Sequence, residues 1–525
     1  MQILVNSDER SSFWRRTAAS SVPILLGGAS LGVAIPLLSD GSVAVLLGVL
    51  AFLIFLIFWA MLAPRSVPLT AAWFFLVCVI AVTAIWPSYI ALRLPGLPWL
   101  NLPRLLISVF LGLWLYCLLN SAELRSRLAD DYQRDKPLFN FLGLWIIMMF
   151  LSIAVSRDVS ESITKVINFQ LSNTAALFAV VSLATTPKRL NLLAMVIFLC
   201  GLFELTIGLL EARYERPLWI DFNPPGFSSD EEFVAGLLEG VWREGEYRVQ
   251  GHFFVSLSYA EFLALTLPFA YHFGLTAGRW WFRAASFGYV LLAFPAIYVS
   301  GSRLGLVGFF LVGLVYAGFF AIRCWRESRT NVLGPVLVML YPLLLLAFIG
   351  AVSVSNRLQD AMLGDGRTEA SDAGRAAQRE VAYPKILQSP IVGYGMAQGP
   401  YAVGYFNAGG QGSFDNGILL VPLDNGIPGL IGFLGIVLWT IVASARLYFT
   451  GRTPVCKLAA AISVFFIAFI VIRWVLAQQE NHQLMMVVAG MCVCIRRIES
   501  KATQEAGEVG RAIAGVAQPV LRAVK

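Results

Sequence analysis

The chain has 525 residues and a net charge of +7; 58% of its residues are hydrophobic, only 14% are charged, and its mean hydropathy is +0.72. This composition excludes an ordinary soluble domain, in which charged residues make up about a quarter of the sequence. Apolar runs of about 20 residues recur along the whole length, which predicts an all-α polytopic membrane protein with about 12–14 transmembrane helices. The basic residues lie mostly in short loops, where they orient helices, so the charge does not indicate a nucleic-acid partner.

The N-terminal region, residues 1–211, is interpreted as transmembrane helices. Its apolar runs are residues 21–38, 42–62, 68–90, 102–121, 137–155, 166–186 and 190–211. The first run follows Arg15 and Arg16, as a signal peptide would. It has no convincing small-residue cleavage site and is followed at once by further runs, so we expect it to remain as an uncleaved helix.

Two polar segments, residues 212–253 and 355–414, interrupt the apolar pattern. Between them, residues 254–354 contain apolar runs at 254–275, 281–300, 303–323 and 332–354, and the C-terminal region, residues 415–498, contains runs at 415–445, 454–471 and 482–495. The run at 415–445 is too long for one straight span, and the final run is short enough to be re-entrant. The polar tail, residues 499–525, is expected to be disordered or to form a surface helix.

Lysine and arginine residues are concentrated in every second connection, starting from the N-terminus. The positive-inside rule then predicts that both termini and the tail at 499–525 are cytoplasmic. Both polar segments are accordingly predicted to be loops on the outer side. The first of them holds a set of acidic residues: Asp221, Asp230, Glu231, Glu232, Glu239, Glu244 and Glu246. Such a set suits a divalent cation, but aromatic residues accompany it, which favours a solvated loop at the membrane interface.

Four arginines lie on or near the predicted outer face, namely Arg248, Arg303, Arg375 and Arg379. A guanidinium group next to hydrocarbon is costly unless it snorkels or is paired. It also grips phosphate through two parallel hydrogen bonds and keeps its charge. Binding of a lipid-linked pyrophosphate and contact with lipid headgroups therefore both remain open for each arginine.

The sequence offers few candidates for a catalytic base. The chain has three histidines, so a Ser-His-Asp hydrolase has little to work with. Asp415 stands where the second polar segment meets the next apolar run, and a carboxylate there suits a general base for a sugar hydroxyl. The alternative is an N-terminal helix cap, because aspartate before an apolar run is a common start signal. The two roles are compatible.

An ordered set of short motifs extends from Arg248 to Leu434. It comprises Arg248 with Gly251, Ser302-Arg303, Gly374-Arg375, Pro390 with Gly393 and Gly395, Asp415-Asn416, and Gly426 with Gly429. In order and spacing this set resembles the O-antigen ligase / O-antigen polymerase superfamily of bacterial membrane proteins. Two positions depart from the family pattern: Asp415 stands where a histidine is usual, and Arg379 replaces an aromatic residue. Asp415 can take the role of the family histidine in activating the acceptor, and its presence also leaves open a changed acceptor or a weakened enzyme.

The resemblance implies a GT-C-like glycosyltransferase in the bacterial inner membrane, working on the periplasmic face. Its donor would be a glycan linked to undecaprenyl diphosphate, and its acceptor a saccharide or a lipid-linked saccharide. Membrane lipids and other polysaccharide assembly proteins would be further partners, and no cofactor, metal or nucleotide sugar is implied. A polymerase is preferred to a ligase only because polymerases are more numerous.

The resemblance also assigns roles to the candidate residues. Arg303 and Arg375 would hold the pyrophosphate, and Asp415 would activate the acceptor. Arg248, Arg379 and Asn416 would contribute to substrate binding.

The main alternative function is a transporter or lipid flippase, and a proton-coupled transporter in particular predicts ionisable residues inside the spans. Glu204 and Glu261 are the main candidates for that role. Their scarcity argues against proton-coupled transport but is compatible with a flippase. A purely structural membrane protein leaves the long outer segment, rich in glycine and arginine, without an explanation.

Overall fold

The computed structural model describes residues 67–92, 100–222, 232–243, 245–327, 332–354, 369–406 and 412–523. Within these ranges eight helices are long and apolar enough to cross a membrane, and the shorter helix Leu69–Thr83 is also apolar. The sheet structure described is a single two-stranded antiparallel hairpin. The predicted class, an all-α polytopic membrane protein, is confirmed. The predicted spans at 21–38 and 42–62 lie outside the described residues.

The first group of helices leads to the first polar segment. It consists of α1 (Leu69–Thr83), α2 (Leu102–Asn120), α3 (Ala122–Arg134), α4 (Lys136–Ser152, extended by a 3-10 turn, Ile153–Val155), α5 (Val159–Phe169), α6 (Ala175–Leu183) and α7 (Pro187–Tyr214). A π-helical turn, Gln170–Thr174, joins α5 to α6. Side-chain oxygens define several of the starts, because each accepts a backbone N–H from the first turn. These caps are Asn101, Ser121, Asp158 and Thr186.

The first polar segment is partly folded, and four apolar helices follow it. The elements are a 3-10 turn (Leu218–Asp221), α8 (Glu232–Leu238), β1 (Val241–Arg243), β2 (Glu246–Arg248), α9 (Ser256–Thr276), α10 (Trp280–Val299), α11 (Arg303–Glu327) and α12 (Leu333–Val354). Helix α9 is buried along almost its whole length and packs against α7, α10, α11 and α16. It therefore forms the centre of this part of the bundle.

The C-terminal part contains a broken helix. Its elements are α13 (Glu369–Gln388), α14 (Gly399–Val403), α15 (Gly417–Thr450), a 3-10 turn (Pro454–Lys457), α16 (Leu458–Arg473) and α17 (His482–Ala523). Helix α15 is interrupted at Gly426, where φ is 72° and ψ is 173°. The run that was too long for one straight span is therefore two helical pieces joined at a glycine.

The tail continues α17 as a helix through Ala523, so of the two predicted alternatives, disorder and a surface helix, the structure shows a helix. Two buried ion pairs hold α17 against the α3–α4 corner. Arg497 Nη1 lies 2.6 Å from Asp131 Oδ2, and Arg496 Nε lies 2.5 Å from Asp135 Oδ1. Both carboxylates are fully buried, and a buried ion pair of this kind fixes one arrangement of its partners.

Candidate functional site

Four elements of the bundle meet at one end, which we call the site end. They are the starts of α9, α11 and α15 and the connection from α16 to α17. Leu257 of α9 and Leu304 of α11 pack against a buried cluster that includes Ile472 and Leu476. Gly417, the first residue of α15, lies so close to the Leu476 carbonyl that a Cβ atom there would be 2.3 Å from the oxygen. Segments far apart in the sequence are therefore in contact at this end.

Arg248 and Arg303 lie on either side of one turn at the site end. Arg248, at the end of β2, donates from Nη2 to the Gly301 carbonyl at 3.3 Å. The Ser302 hydroxyl caps α11 by accepting the Gly305 N–H at 3.1 Å. Arg303 is then the first residue of α11 and is half-buried. A helix N-terminus favours anions, so the backbone adds to the positive charge of the two arginines.

A single carboxylate holds the segment that carries Arg248. Glu211, fully buried near the end of α7, accepts the Tyr247 hydroxyl at 2.5 Å. It also accepts the backbone N–H groups of Gly251 at 2.8 Å and Gln250 at 3.2 Å. Burial and the adjacent Glu211 carboxylate raise the pKa of Tyr247, so its hydroxyl stays protonated and donates. The backbone on both sides of Arg248 is thereby fixed.

Glu204, one of the residues that a transporter would need, has a partner in the bundle. The Nδ1 atom of His252 lies 3.0 Å from Glu204 Oε1, and both side chains are buried. Glu261, the second such residue, is paired with Arg473 at 2.7 Å. Both glutamates therefore lie beside a basic side chain of the bundle, although neither carboxylate oxygen of Glu204 accepts a hydrogen bond among the described residues.

Helix α13, which carries two of the predicted arginines, contacts the backbone of Asp415 through Gln378. Gln378 accepts the backbone N–H of Asp415 at 3.0 Å. Arg375 precedes Gln378 by three residues, which places the two side chains on one face of α13. Arg375 is half-buried, whereas Arg379 is exposed. In the structure, the helix that carries Arg375 therefore contacts the backbone of Asp415, which is the predicted base.

The cap of α15 is Asn416 and not Asp415. The Asn416 side-chain oxygen accepts the Leu419 N–H at 3.0 Å, so the interpretation of Asp415 as a helix cap is wrong. Asp415 stands one residue outside the helix and is half-buried. Among the residues that the structure describes, its carboxylate makes no hydrogen bond. Only the side-chain NH₂ of Asn416 remains for the predicted substrate contact, because its oxygen is used by the cap.

Residues 390–398, which include Gly393 and Gly395 and are called the glycine turn, make hydrogen bonds to both pieces of the broken helix α15. The Tyr394 N–H donates to the Leu423 carbonyl at 2.8 Å, the Gly395 N–H donates to the Asp424 carbonyl at 3.1 Å, and the Ile427 N–H donates to the Pro390 carbonyl at 2.7 Å. A break in a membrane helix frees backbone groups that must find partners inside the protein. The turn supplies those partners, so these residues shape the site without needing to touch a substrate.

Two side chains at the start of α5, which were not predicted to be functional, make hydrogen bonds to the glycine turn. Ser162 donates its hydroxyl to the Met396 carbonyl at 3.0 Å. The Gln398 side chain donates to Glu161 Oε2 at 2.7 Å. These residues lie more than 200 positions before their partners. No local pattern in the sequence predicts such pairs.

The cation-site interpretation of the first polar segment gains no support. Asp221 pairs with Arg216 at 2.9 Å on the surface. Asp230 and Glu231 lie outside the described residues. Across the parts of the chain that are described, no group of His, Cys, Asp and Glu side chains is arranged to hold a metal ion.

Comparison with known proteins agrees with this geometry. A family model described as O-antigen ligase matches residues 288–434. This match, over residues 288–434, supports membership of the O-antigen ligase / O-antigen polymerase superfamily. The matched region runs from α10 into α15 and contains Arg303, Arg375, Arg379, Asp415 and Asn416, whereas Arg248 precedes it. A search of curated proteins found no match.

The family match supports a ligase-type or polymerase-type enzyme, and the ligase family implies a lipid-linked saccharide as substrate. The apolar helices and the family together indicate a multi-pass membrane protein. The comparison therefore supports the predicted family and the general type of activity. The individual site residues stay predictions.

Proposed function

We propose that this protein transfers a glycan from an undecaprenyl-diphosphate-linked donor to a hydroxyl of a saccharide or lipid-linked saccharide acceptor. The acceptor oxygen forms a bond to the anomeric carbon of the donor, and the bond from that carbon to the diphosphate oxygen breaks. Undecaprenyl diphosphate leaves, and the proton of the acceptor hydroxyl passes to Asp415. Repetition on a growing chain gives polymerisation, and one transfer to a completed acceptor gives ligation; we prefer the polymerase.

The observation that carries this proposal is the convergence of two arginine-bearing segments and Asp415 at one end of an apolar bundle. Arg303 starts α11 beside Arg248, and the helix carrying Arg375 contacts Asp415 through Gln378. In the proposed reaction Arg303 and Arg375 stabilise the negative charge that develops on the leaving diphosphate. Arg248 adds a further positive charge on the donor side.

Asp415 suits the acceptor side. Its carboxylate is free of the capping role that Asn416 performs. It lies beside the arginine-bearing helix, where an acceptor hydroxyl would approach the donor carbon. A base must reach the proton that it abstracts within hydrogen-bond distance, and a half-buried side chain at the edge of the bundle meets that condition. The exposed Arg379 and the side-chain NH₂ of Asn416 would contact the acceptor.

We further propose that the site end faces the periplasm and that the protein lies in the bacterial inner membrane. The alternation of basic residues supports this orientation. The two polar segments, 212–253 and 355–414, both contribute to the site end, as segments on one side of a membrane would. Residues 1–211, 254–354 and 415–498 would then be the membrane regions, and 499–525 would lie in the cytoplasm. We expect no cofactor or metal to be required.

The test is a reconstituted reaction with a synthetic undecaprenyl-diphosphate oligosaccharide, in which product length is read on a gel and released undecaprenyl diphosphate by mass spectrometry. Wild-type protein should give both products, and Arg303→Ala and Arg375→Ala should each give neither. Arg326→Ala is the matched control, because Arg326 is exposed at the opposite end of the helix that Arg303 starts. Movement of the intact lipid-linked donor across vesicles without a new glycosidic bond would instead establish a flippase.

A further inference from the structure

Arg473 is a buried arginine that the proposed reaction does not use. It ends α16, and its side chain is 2% exposed. Its Nη2 atom donates to both carboxylate oxygens of Glu261 on α9, each at 2.7 Å. Asn481 completes the cluster, donating to Glu261 Oε2 at 2.6 Å and to the Ser258 carbonyl at 3.2 Å. Both carboxylate oxygens of Glu261 are therefore satisfied, whereas the buried Nε atom of Arg473 has no hydrogen-bond partner among the described residues. A buried charge pair of this kind fixes one arrangement of its partners.

The second terminal nitrogen of Arg473 binds the backbone beyond the helix. Nη1 donates to the Leu476 carbonyl at 3.4 Å and to the Gln478 carbonyl. Carbonyls at and beyond the end of a helix have no partner within it. Arg473 supplies that partner and, through Glu261, ties the connection at 474–481 to the central helix α9.

This connection forms the surface on which the start of α15 rests. A Cβ atom on Gly417 would lie 2.3 Å from the Leu476 carbonyl oxygen and 2.9 Å from the Arg473 carbonyl oxygen. Asp415 stands two residues before Gly417. A small cavity on the other side of this contact is lined by Gly417, Asp424, Arg473 and His482, among others. Packing beside the connection is therefore incomplete, which leaves room for a shift when the Arg473 contacts are lost, although the Phe254 N–H also holds the connection through Glu480 Oε1 at 3.0 Å.

We infer that Arg473, held by Glu261 and Asn481, is a positioning residue that fixes the location of Asp415 in the site. The inference rests on the proposed function, in which Asp415 accepts the acceptor proton. Glu211 and Gly301 hold the Arg248 segment through hydrogen bonds that Arg473 does not share, whereas Leu304, next to Arg303, reaches the Leu476 cluster through apolar packing alone. Loss of the Arg473 contacts should therefore slow the chemical step while leaving donor binding almost unchanged.

The kinetic test compares Arg473→Lys, which keeps a charge but cannot reach all four acceptors, with the matched control Arg323→Lys. Arg323 also contacts a carboxylate, Glu327, and a backbone carbonyl, that of Tyr448. We expect Arg473→Lys to lower kcat by about 100-fold, with a donor KM within about twofold of wild type, as for a misplaced catalytic group. The control should keep wild-type values. A rise in donor KM with unchanged kcat would overturn the inference.

A second measurement reports the position of Asp415 without using activity. Gln378 accepts the Asp415 N–H, so Gln378→Cys with Asp415→Cys should be joined efficiently by a short bis-maleimide reagent in membranes. Adding Arg473→Lys should lower that yield at least fivefold in protein that elutes as a single folded species. An unchanged yield would show that Arg473 acts only on stability and would refute the positioning role.

Gly417→Ala perturbs the contact between the start of α15 and the Leu476 carbonyl while leaving the Arg473 and Glu261 pair intact. It therefore tests the inference even if Arg473→Lys does not fold. It should lower both kcat and the crosslinking yield, and no change in either would overturn the inference. Glu261→Gln keeps an acceptor oxygen and should lose less activity than Glu261→Ala. Asp415→Asn tells a failure of the proposed function from a failure of the inference. If Asp415→Asn is fully active while Arg473→Lys still lowers the crosslinking yield, Asp415 is not the base but Arg473 does fix its position.

Discussion

Replacing Gly426 by alanine tests whether the break in α15 is fixed by its contact with the glycine turn. The backbone there has φ 72° and ψ 173°, a region that residues with a side chain rarely occupy, at a cost of about 1–3 kcal/mol. An alanine Cβ would also lie 2.0 Å from the Ile391 carbonyl oxygen, so the turn must move away. Moving the turn threatens its three backbone hydrogen bonds to α15, each contributing about 0.5–1.5 kcal/mol.

The expected destabilisation for Gly426→Ala, with all three hydrogen bonds lost, is therefore about 2.5–7.5 kcal/mol. Gly404→Ala is the matched control. Gly404 also has a positive φ of 81°, but a Cβ atom there would meet nothing within 4 Å. It should cost about 1–2 kcal/mol from backbone strain alone. The assay is the melting temperature of purified protein in detergent together with protease sensitivity of the 389–398 segment. If both variants melt alike, the contact between the turn and the broken helix does not stabilise the protein.

The remaining predictions concern the reaction and the topology. The double variant Arg303→Lys with Arg375→Lys should give no polymer, because an ammonium cannot reproduce the two-pronged phosphate contact; wild-type polymer would reduce both residues to headgroup contacts. Asp415→Asn should lose activity, and full-length polymer on a gel would exclude a base role. Asn416→Ala should cost about 1 kcal/mol through loss of the cap, whereas Asn416→Asp should melt like wild type. A reporter fused near Gly366 should be active only as a periplasmic enzyme, and cytoplasmic-type activity would reverse the proposed orientation.

The positions of the helices could be predicted from the sequence because apolar length depends only on the thickness of the bilayer. Residues 102–121, for example, were expected to form a span, and the helix found is Leu102–Asn120. The excessive length of the run at 415–445 also indicated an irregular helix. The sequence did not identify Gly426 as the break, because Gly429 a few residues later is equally small and only backbone geometry distinguishes them.

The charged residues of the site could be predicted from the sequence, but the contacts that they make could not. Arginine at a membrane face is visible as a residue type, so Arg303 was singled out. Asp415 and Asn416 are both good caps, and the choice between them depends on which side chain faces the first turn of α15. The Glu261 and Arg473 pair joins residues 212 positions apart, and no local pattern carries such a pairing.

The contacts between the start of α5 and the glycine turn show that the matched region depends on residues outside it for part of its structure. Residues 288–434 match the family, yet their central turn is anchored by Glu161 and Ser162 from outside that region. A chimaera that receives residues 288–434 alone would carry the arginines but leave Met396 and Gln398 without their native partners. Transfer of residues 288–434 to a related protein therefore requires transfer of the α5 start as well, unless the recipient already has residues that can bind Met396 and Gln398. Exchange of such regions between relatives would be constrained by the compatibility of two distant segments.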